Sequence, residues 1–285
     1  MPDKPVSKPK VPLFLDTTII VDQVIGTNPH RTNSIQSLIS SDDYKLACAY
    51  SRLEYKRVVI QNFSLTLDYL CESKRFSHAI LRSNALQRQR RRNTLVNIAA
   101  WVLDKVGNES FEIPEDQSTD ELLAERAISY LRVAIKSAWR QFSIGVDDVV
   151  DALNCQRALE KPREKSRGGV DVTIHESACR DKGCNIANFF QSQGSVLKRL
   201  LRTLEKLPED QITEELAKAR ETIEAAFSSP SKLYDYNTCL KMADVWIHLE
   251  CLKAGSTRFL TTNYKESKVL CPAIGLKMLD ANEQR

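Results

Sequence analysis

Short runs of aliphatic and β-branched residues alternate along this chain with longer stretches in which apolar positions return every three or four residues. The first run, Val11 to Val21, is broken by Asp16, Thr17 and Thr18 and reads as a buried strand ending at a polar turn. Lys45 to Tyr50 is a second short strand, and the spacing from Ser51 through Leu53, Val58 and Val59 predicts a helix directly after it. Helical spacing then dominates: Ile128, Leu131, Ile135, Ala138 and Phe142 share one face, and so do Leu197, Leu200, Leu201 and Leu204. Ile212, Leu216, Ala219, Ile223 and Phe227 continue the pattern beyond Pro208, which predicts a helical hairpin turning near Leu207 to Asp210. Lys161 to Asp171 is charged, carries Pro162, Gly168 and Gly169, and is expected to be an exposed loop. Towards the C-terminus the pattern predicts a helix ending near Gly255, a strand from Phe259 to Thr261, and a short strand from Val269 to Cys271 before Pro272. Strands alternating with helices imply an α/β fold with a parallel sheet, whose ligand site lies outside the carboxyl ends of the strands. Asp16 and the loop from Thr261 to Glu266 both fall at such ends.

Length and composition change this picture little. The chain has 285 residues, enough for one domain with a large insertion, and 42% apolar with 27% charged residues is ordinary for a globular protein. A net charge of +4 is too small to argue for nucleic-acid binding, so any electrostatic argument rests on where charges cluster. Met1 to Lys10 reads as a disordered basic tail, with no apolar run of signal-peptide length behind it and none of membrane-spanning length elsewhere. The expectation is a cytoplasmic protein without a membrane partner. Its eight cysteines are then reduced thiols or metal ligands rather than a disulfide framework.

Four acids stand where chemistry is expected. Asp16 follows Leu13-Phe14-Leu15, where a carboxylate either caps the next helix or holds a hard cation. Glu54 lies three residues after Ser51, which fits a capping box as well as a ligand role. Asp244 sits in the apolar stretch Ala243-Asp244-Val245-Trp246-Ile247, where a charge needs a partner or a metal unless it starts the helix or faces solvent. Glu266 closes Thr261-Thr262-Asn263-Tyr264-Lys265-Glu266 as either a solvated loop residue or a further ligand. Asp147, Asp148 and Asp151 form a rival acidic cluster that reads as a helix start after Gly145.

Three segments together resemble the PIN-domain family, including its toxin-type ribonucleases: Phe14-Leu15-Asp16-Thr17-Thr18, Ser51-Arg52-Leu53-Glu54-Tyr55, and the run from Asp244 through Gly255 to Phe259-Leu260-Thr261-Thr262-Asn263. The resemblance implies a three-layer α/β/α fold with a central parallel sheet, built from residues 11–63 and 236–285, with residues 64–235 as an inserted helical subdomain. It also implies a metal-dependent endoribonuclease. Asp16, Glu54, Asp244 and Glu266 would be catalytic acids holding Mg²⁺ or Mn²⁺, with Thr17, Thr261 and Asn263 in support. The sequence departs from the family pattern at Asn263, where an acid is usual; Glu266 then takes the final acidic place. A cation held by such acids activates water for in-line attack at phosphorus. A neutralising protein partner is a further implication. A catalytically weak scaffold that binds RNA or a protein, and a DNA nuclease, are the competing readings.

Two further clusters carry chemistry. Cys155, His175, Cys179 and Cys184 supply four soft ligands for a structural Zn²⁺ element within residues 155–184, unless they are incidental thiols. Arg88, Arg90, Arg91 and Arg92, with Arg82 nearby, form the densest basic run, either a solvated face or a set of RNA phosphate contacts.

Overall fold

The structure is a computed structural model that describes residues 10–26, 29–87, 89–107, 117–171 and 183–282. Of the expected tail only Lys10 lies within them. Strand β1 (Val11–Leu15) ends at Asp16, whose side chain caps helix α1 (Thr17–Ile25), so Ile19 to Val21 are helical and not part of the first strand. An Asp at the N-cap satisfies an amide that the first helical turn leaves open, which decides the helix start in favour of Thr17. Helix α2 (Pro29–Leu38) leads to strand β2 (Asp43–Cys48). Next come α3 (Ala49–Tyr55), one π-helical stretch (Lys56–Ile60) and α4 (Gln61–Ser73), in unbroken succession. The N-cap of α3 is Cys48, whose Sγ accepts from Ser51 N at 3.3 Å, so Glu54 is not half of a capping box.

The central sheet has five strands in the order β3-β2-β1-β6-β7, all paired in parallel. Strands β3 (Asp148–Val150), β6 (Arg258–Thr261) and β7 (Lys277–Asp280) complete it. The Asp147 to Asp151 stretch therefore forms an edge strand, not a helix start: Asp147 N donates to Lys45 O, and Lys45 N donates to Asp147 Oδ2. Because β3 comes from the middle of the chain, the sheet is not confined to residues 11–63 and 236–285. Val269 to Cys271 are also not a strand. They lie on the buried face of a helix, Tyr264–Ile274, and a three-residue apolar run cannot by itself distinguish the two.

Successive strand residues point to opposite faces of the sheet. Leu13, Leu15, Ala47 and Leu260 face a core with Ile19, Tyr55, Phe63, Leu131 and Phe142. Phe14, Leu46, Cys48 and Phe259 face a second core with Leu197, Ile223, Trp246 and Leu270. The middle of the chain supplies helices to both cores. On the first lie α4, α5 (Phe76–Asn84), α6 (Gln89–Gly107) and α7 (Thr119–Ile144). Beyond α8 (Gln156–Leu159), the second takes α9 (Ile186–Ser192), α10 (Gly194–Glu205), α11 (Glu214–Ser228), α12 (Tyr236–Lys241), α13 (Ala243–Lys253) and α14 (Tyr264–Ile274). Helices α10 and α11 form the expected hairpin, turning through a 3-10 segment at Glu209–Gln211. Gly255 follows α13 at φ 73°, where a left-handed residue ends the helix. Lys161 to Asp171 is not an irregular loop: it contains the antiparallel hairpin of β4 (Arg163–Glu164) and β5 (Val170–Asp171). No helix among the described residues is long and apolar enough to cross a membrane.

Candidate active site

Parallel pairing puts the carboxyl ends of all five strands on one edge, and the acidic positions gather there. Asp16 leaves β1 with its backbone fixed to the neighbouring strand, Asp16 N donating to Leu260 O at 2.9 Å. Its Oδ1 accepts from Thr17 N at 2.7 Å, and its Oδ2 accepts from Thr18 Oγ1 at 2.8 Å and Thr261 Oγ1 at 2.7 Å. The side chain is buried, so desolvation raises its pKa despite the opposing hydrogen bonds from Thr261 and Thr18.

From this centre the contacts run outward to two more acids. Thr17 Oγ1 donates to Glu54 Oε2 at 2.7 Å. Thr261 Oγ1 accepts from Asn263 N at 2.8 Å, and Asn263 Nδ2 donates to Asp244 Oδ1 at 3.4 Å. Asp16, Glu54 and Asp244 thus belong to one hydrogen-bonded series, joined by Thr17, Thr261 and Asn263. Asp16 is the N-cap of α1, while Asp244 and Glu266 stand in the first turns of α13 and α14. Each of these three acids therefore stands at the positive end of a helix dipole. Glu266 is buried, but among the described residues no hydrogen bond ties it to the series.

The sheet edge also holds an acid that the sequence reading passed over. Asp280 ends β7 in register with Thr261, and its Oδ1 accepts from Asn282 N and Nδ2 at 2.8 and 2.9 Å. Asn282 Nδ2 also donates to Thr262 O at 2.9 Å. The signal available for it was a carboxylate closing a short apolar strand, the same signal as at Asp16. His248 lies one turn after Asp244, with Nδ1 2.6 Å from Asp244 O and its ring 4.2 Å from that of Phe259. A carbonyl partner requires the proton on Nδ1. Burial lowers the pKa of His248 to about 4, so the ring is neutral at physiological pH.

Other candidate residues stand apart. Among the described residues no group of three or more His, Cys, Asp or Glu side chains lies within reach of one metal ion. His175 and Cys179 of the zinc set lie outside the described residues; Cys155 precedes α8, and Cys184 lies just before α9. Arg88 is also outside them, and Arg90, Arg91 and Arg92 occupy the first turn of α6. Helix α6 packs on α4, α5 and α7, none of which carries an acid of the series. Arg82 pairs with Glu72 and lies over the Tyr69 ring, 4.6 Å from its centroid. No protein-family model, curated protein or solved structure matches this chain.

Proposed function

We propose that this chain is a PIN-like, metal-dependent nuclease that hydrolyses RNA phosphodiester bonds internally. The observation that carries this reading is the joining of Asp16, Glu54 and Asp244, from three distant segments, into one hydrogen-bonded series at the carboxyl edge of a parallel sheet. Its donor set is all oxygen, which suits Mg²⁺ or Mn²⁺. Mg²⁺ is commonly held by one or two carboxylates, with waters and substrate phosphates completing its shell, so a three-acid cluster is not required. Asp16 and Asp244 would hold it, with Glu54 acting through Thr17. When bound, such a cation supplies positive charge against a phosphodiester undergoing in-line substitution. Thr18 and Thr261 orient the Asp16 carboxylate, and Asn263 orients Asp244 without adding a charge. The N-termini of α1, α13 and α14 add favourable potential for phosphate oxygens.

A second reading, a catalytically weak scaffold that binds RNA or a protein partner, draws support from the same geometry. Three donors already occupy Asp16, and hydroxyl groups separate the acids. Incubation with single-stranded RNA, single-stranded DNA and duplex DNA, each with Mg²⁺, Mn²⁺ or chelator, decides between them. The nuclease reading predicts metal-dependent cleavage of RNA that is lost in Asp16→Asn and Asp244→Asn. Cleavage of DNA alone would change the substrate class, and no cleavage in any arm would leave the scaffold reading.

A further inference from the structure

Outside the acidic series, α4 carries a polar stripe that fastens the β4–β5 hairpin. Ser64 Oγ accepts from Val170 N at 2.9 Å, Asp68 pairs with Lys165 at 3.4 Å, and Glu72 pairs with Arg167 at 3.7 Å. These three stripe residues are four apart and share one helix face. Two glycines permit the close approach. Gly168 has φ +83°, and a Cβ there would lie 3.2 Å from Arg132 Cγ and Nε; a Cβ on Gly169 would lie 2.7 Å from Ser64 Oγ. The hairpin turn is therefore built around Arg132, whose Nε donates to Arg167 O at 3.2 Å.

Docking in this way brings like charges together. Lys74, Arg132 and Arg167 line one cavity of about 600 Å³ between α4 and α7. Among the described residues Arg132 and Lys74 have no carboxylate within 4.0 Å, so two of the three cations face the cavity without an ion pair. Lys74 terminates α4 at φ 53°, a conformation that glycine adopts without strain. Cys71 and Ile128 add apolar surface to the wall; Glu121 and Glu125 of α7 stand on it as well, Glu121 paired with Arg75 at 3.6 Å.

We infer that this cavity binds a small molecule with an oxyanion head group, a carboxylate or a phosphate, held by Arg132, Lys74 and Arg167. Guanidinium forks suit both head groups, and the apolar wall takes the body of the ligand. With Glu121 and Glu125 on the same wall, the three cations suit a single oxyanion head group better than the successive phosphates of a nucleic-acid backbone. The inference does not depend on the nuclease reading, because no residue of the acidic series lines this cavity.

Thermal unfolding of the whole chain in sodium phosphate, in sodium citrate and in sodium chloride at matched ionic strength tests it. Either oxyanion at millimolar concentration raises the midpoint by at least about 2 °C over chloride, as expected for a ligand that binds only the folded state. A shift with phosphate alone assigns a phosphate compound, and one with citrate alone a carboxylate. Lys74→Gln, an exposed change at a helix end, cuts the shift at least about twofold, and Arg132→Gln does the same. Far-UV circular dichroism checks that both variants fold. No oxyanion-specific shift, a shift of unchanged size in Lys74→Gln, or displacement of the bound oxyanion by a single-stranded RNA oligonucleotide would overturn the inference.

Discussion

Two carboxylates buried in this molecule, Asp16 and Glu250, are held in opposite ways. Asp16 takes two of its three hydrogen bonds from side-chain hydroxyls, those of Thr18 and Thr261. Glu250, on α13, takes its bonds from backbone amides: Ala152 N donates at 3.1 Å to both of its oxygens, and Leu153 N donates at 3.1 Å to Oε1. Amides fixed in the chain define where the segment after β3 must run, so Glu250 is a joint between the edge strand and α13. Hydroxyl donors can rotate away when a stronger partner arrives, so Asp16 keeps the freedom a ligand needs. Desolvation raises the pKa of both, that of Glu250 to about 7. Burial and a shifted pKa therefore do not identify a site; the kind of partner does.

The contrast breaks first on activity. Asp16→Asn should lower metal-dependent RNA cleavage by at least about 10²-fold, near 3 kcal/mol in the barrier, while Glu250→Gln leaves it within about threefold. Initial rates at saturating Mn²⁺ measure both; equal losses would erase the distinction.

Stability against pH separates them next. The folded pKa of Glu250 lies above its ordinary 4.5, so its contribution is full below about pH 4.5 and is lost as the pH rises through about 7. His248 acts in the other direction: its folded value is depressed to about 4, so its contribution is full above about pH 6.5 and lost as the pH falls. The two slopes oppose each other between about pH 4.5 and 6.5. Glu250→Gln removes one of them, so the variant gains on the parent by about 3 kcal/mol between pH 4.5 and 7. Urea titrations across that range test this, and parallel curves for the two proteins would refute it.

Thr261→Val removes a hydroxyl donor from Asp16 and the acceptor for Asn263 N, and should slow cleavage about tenfold and cost about 1 to 2 kcal/mol of stability. Ser64→Ala removes the acceptor for Val170 N and should cost about 1 kcal/mol. Limited trypsin digestion would then cut at Lys165 or Arg167 sooner than in the parent, and an unchanged digestion rate would show that the hairpin does not depend on that bond.

The parts of this arrangement legible in the sequence were those with a local cause. Asp16 stands directly after an apolar strand, Gly255 ends α13, and the α10–α11 hairpin announces itself by spacing around Pro208. Where the cause is tertiary, the sequence misled. Glu54 matched a capping box, but Cys48 holds that position and Glu54 faces Thr17 instead. Strand β3 has three residues and exists because β2 offers it an edge. Asp280 closes a short apolar strand as Asp16 does, but only the pairing of β6 with β7 sets it beside Thr261. Glu250 was invisible for the same reason: its partners lie nearly a hundred residues away, at Ala152 and Leu153.

In the nuclease reading Asp16 and Asp244 work as one unit through Thr261 and Asn263. Residues that act as a unit lose function together and not additively. The direct measurement is a double-mutant cycle on Mn²⁺-dependent RNA cleavage with Asp16→Asn, Asp244→Asn and the pair combined. Each single variant should lose at least about 10²-fold, and the combined variant should fall little further. Losses that multiply, or single variants that cleave at the parent rate, would contradict that reading.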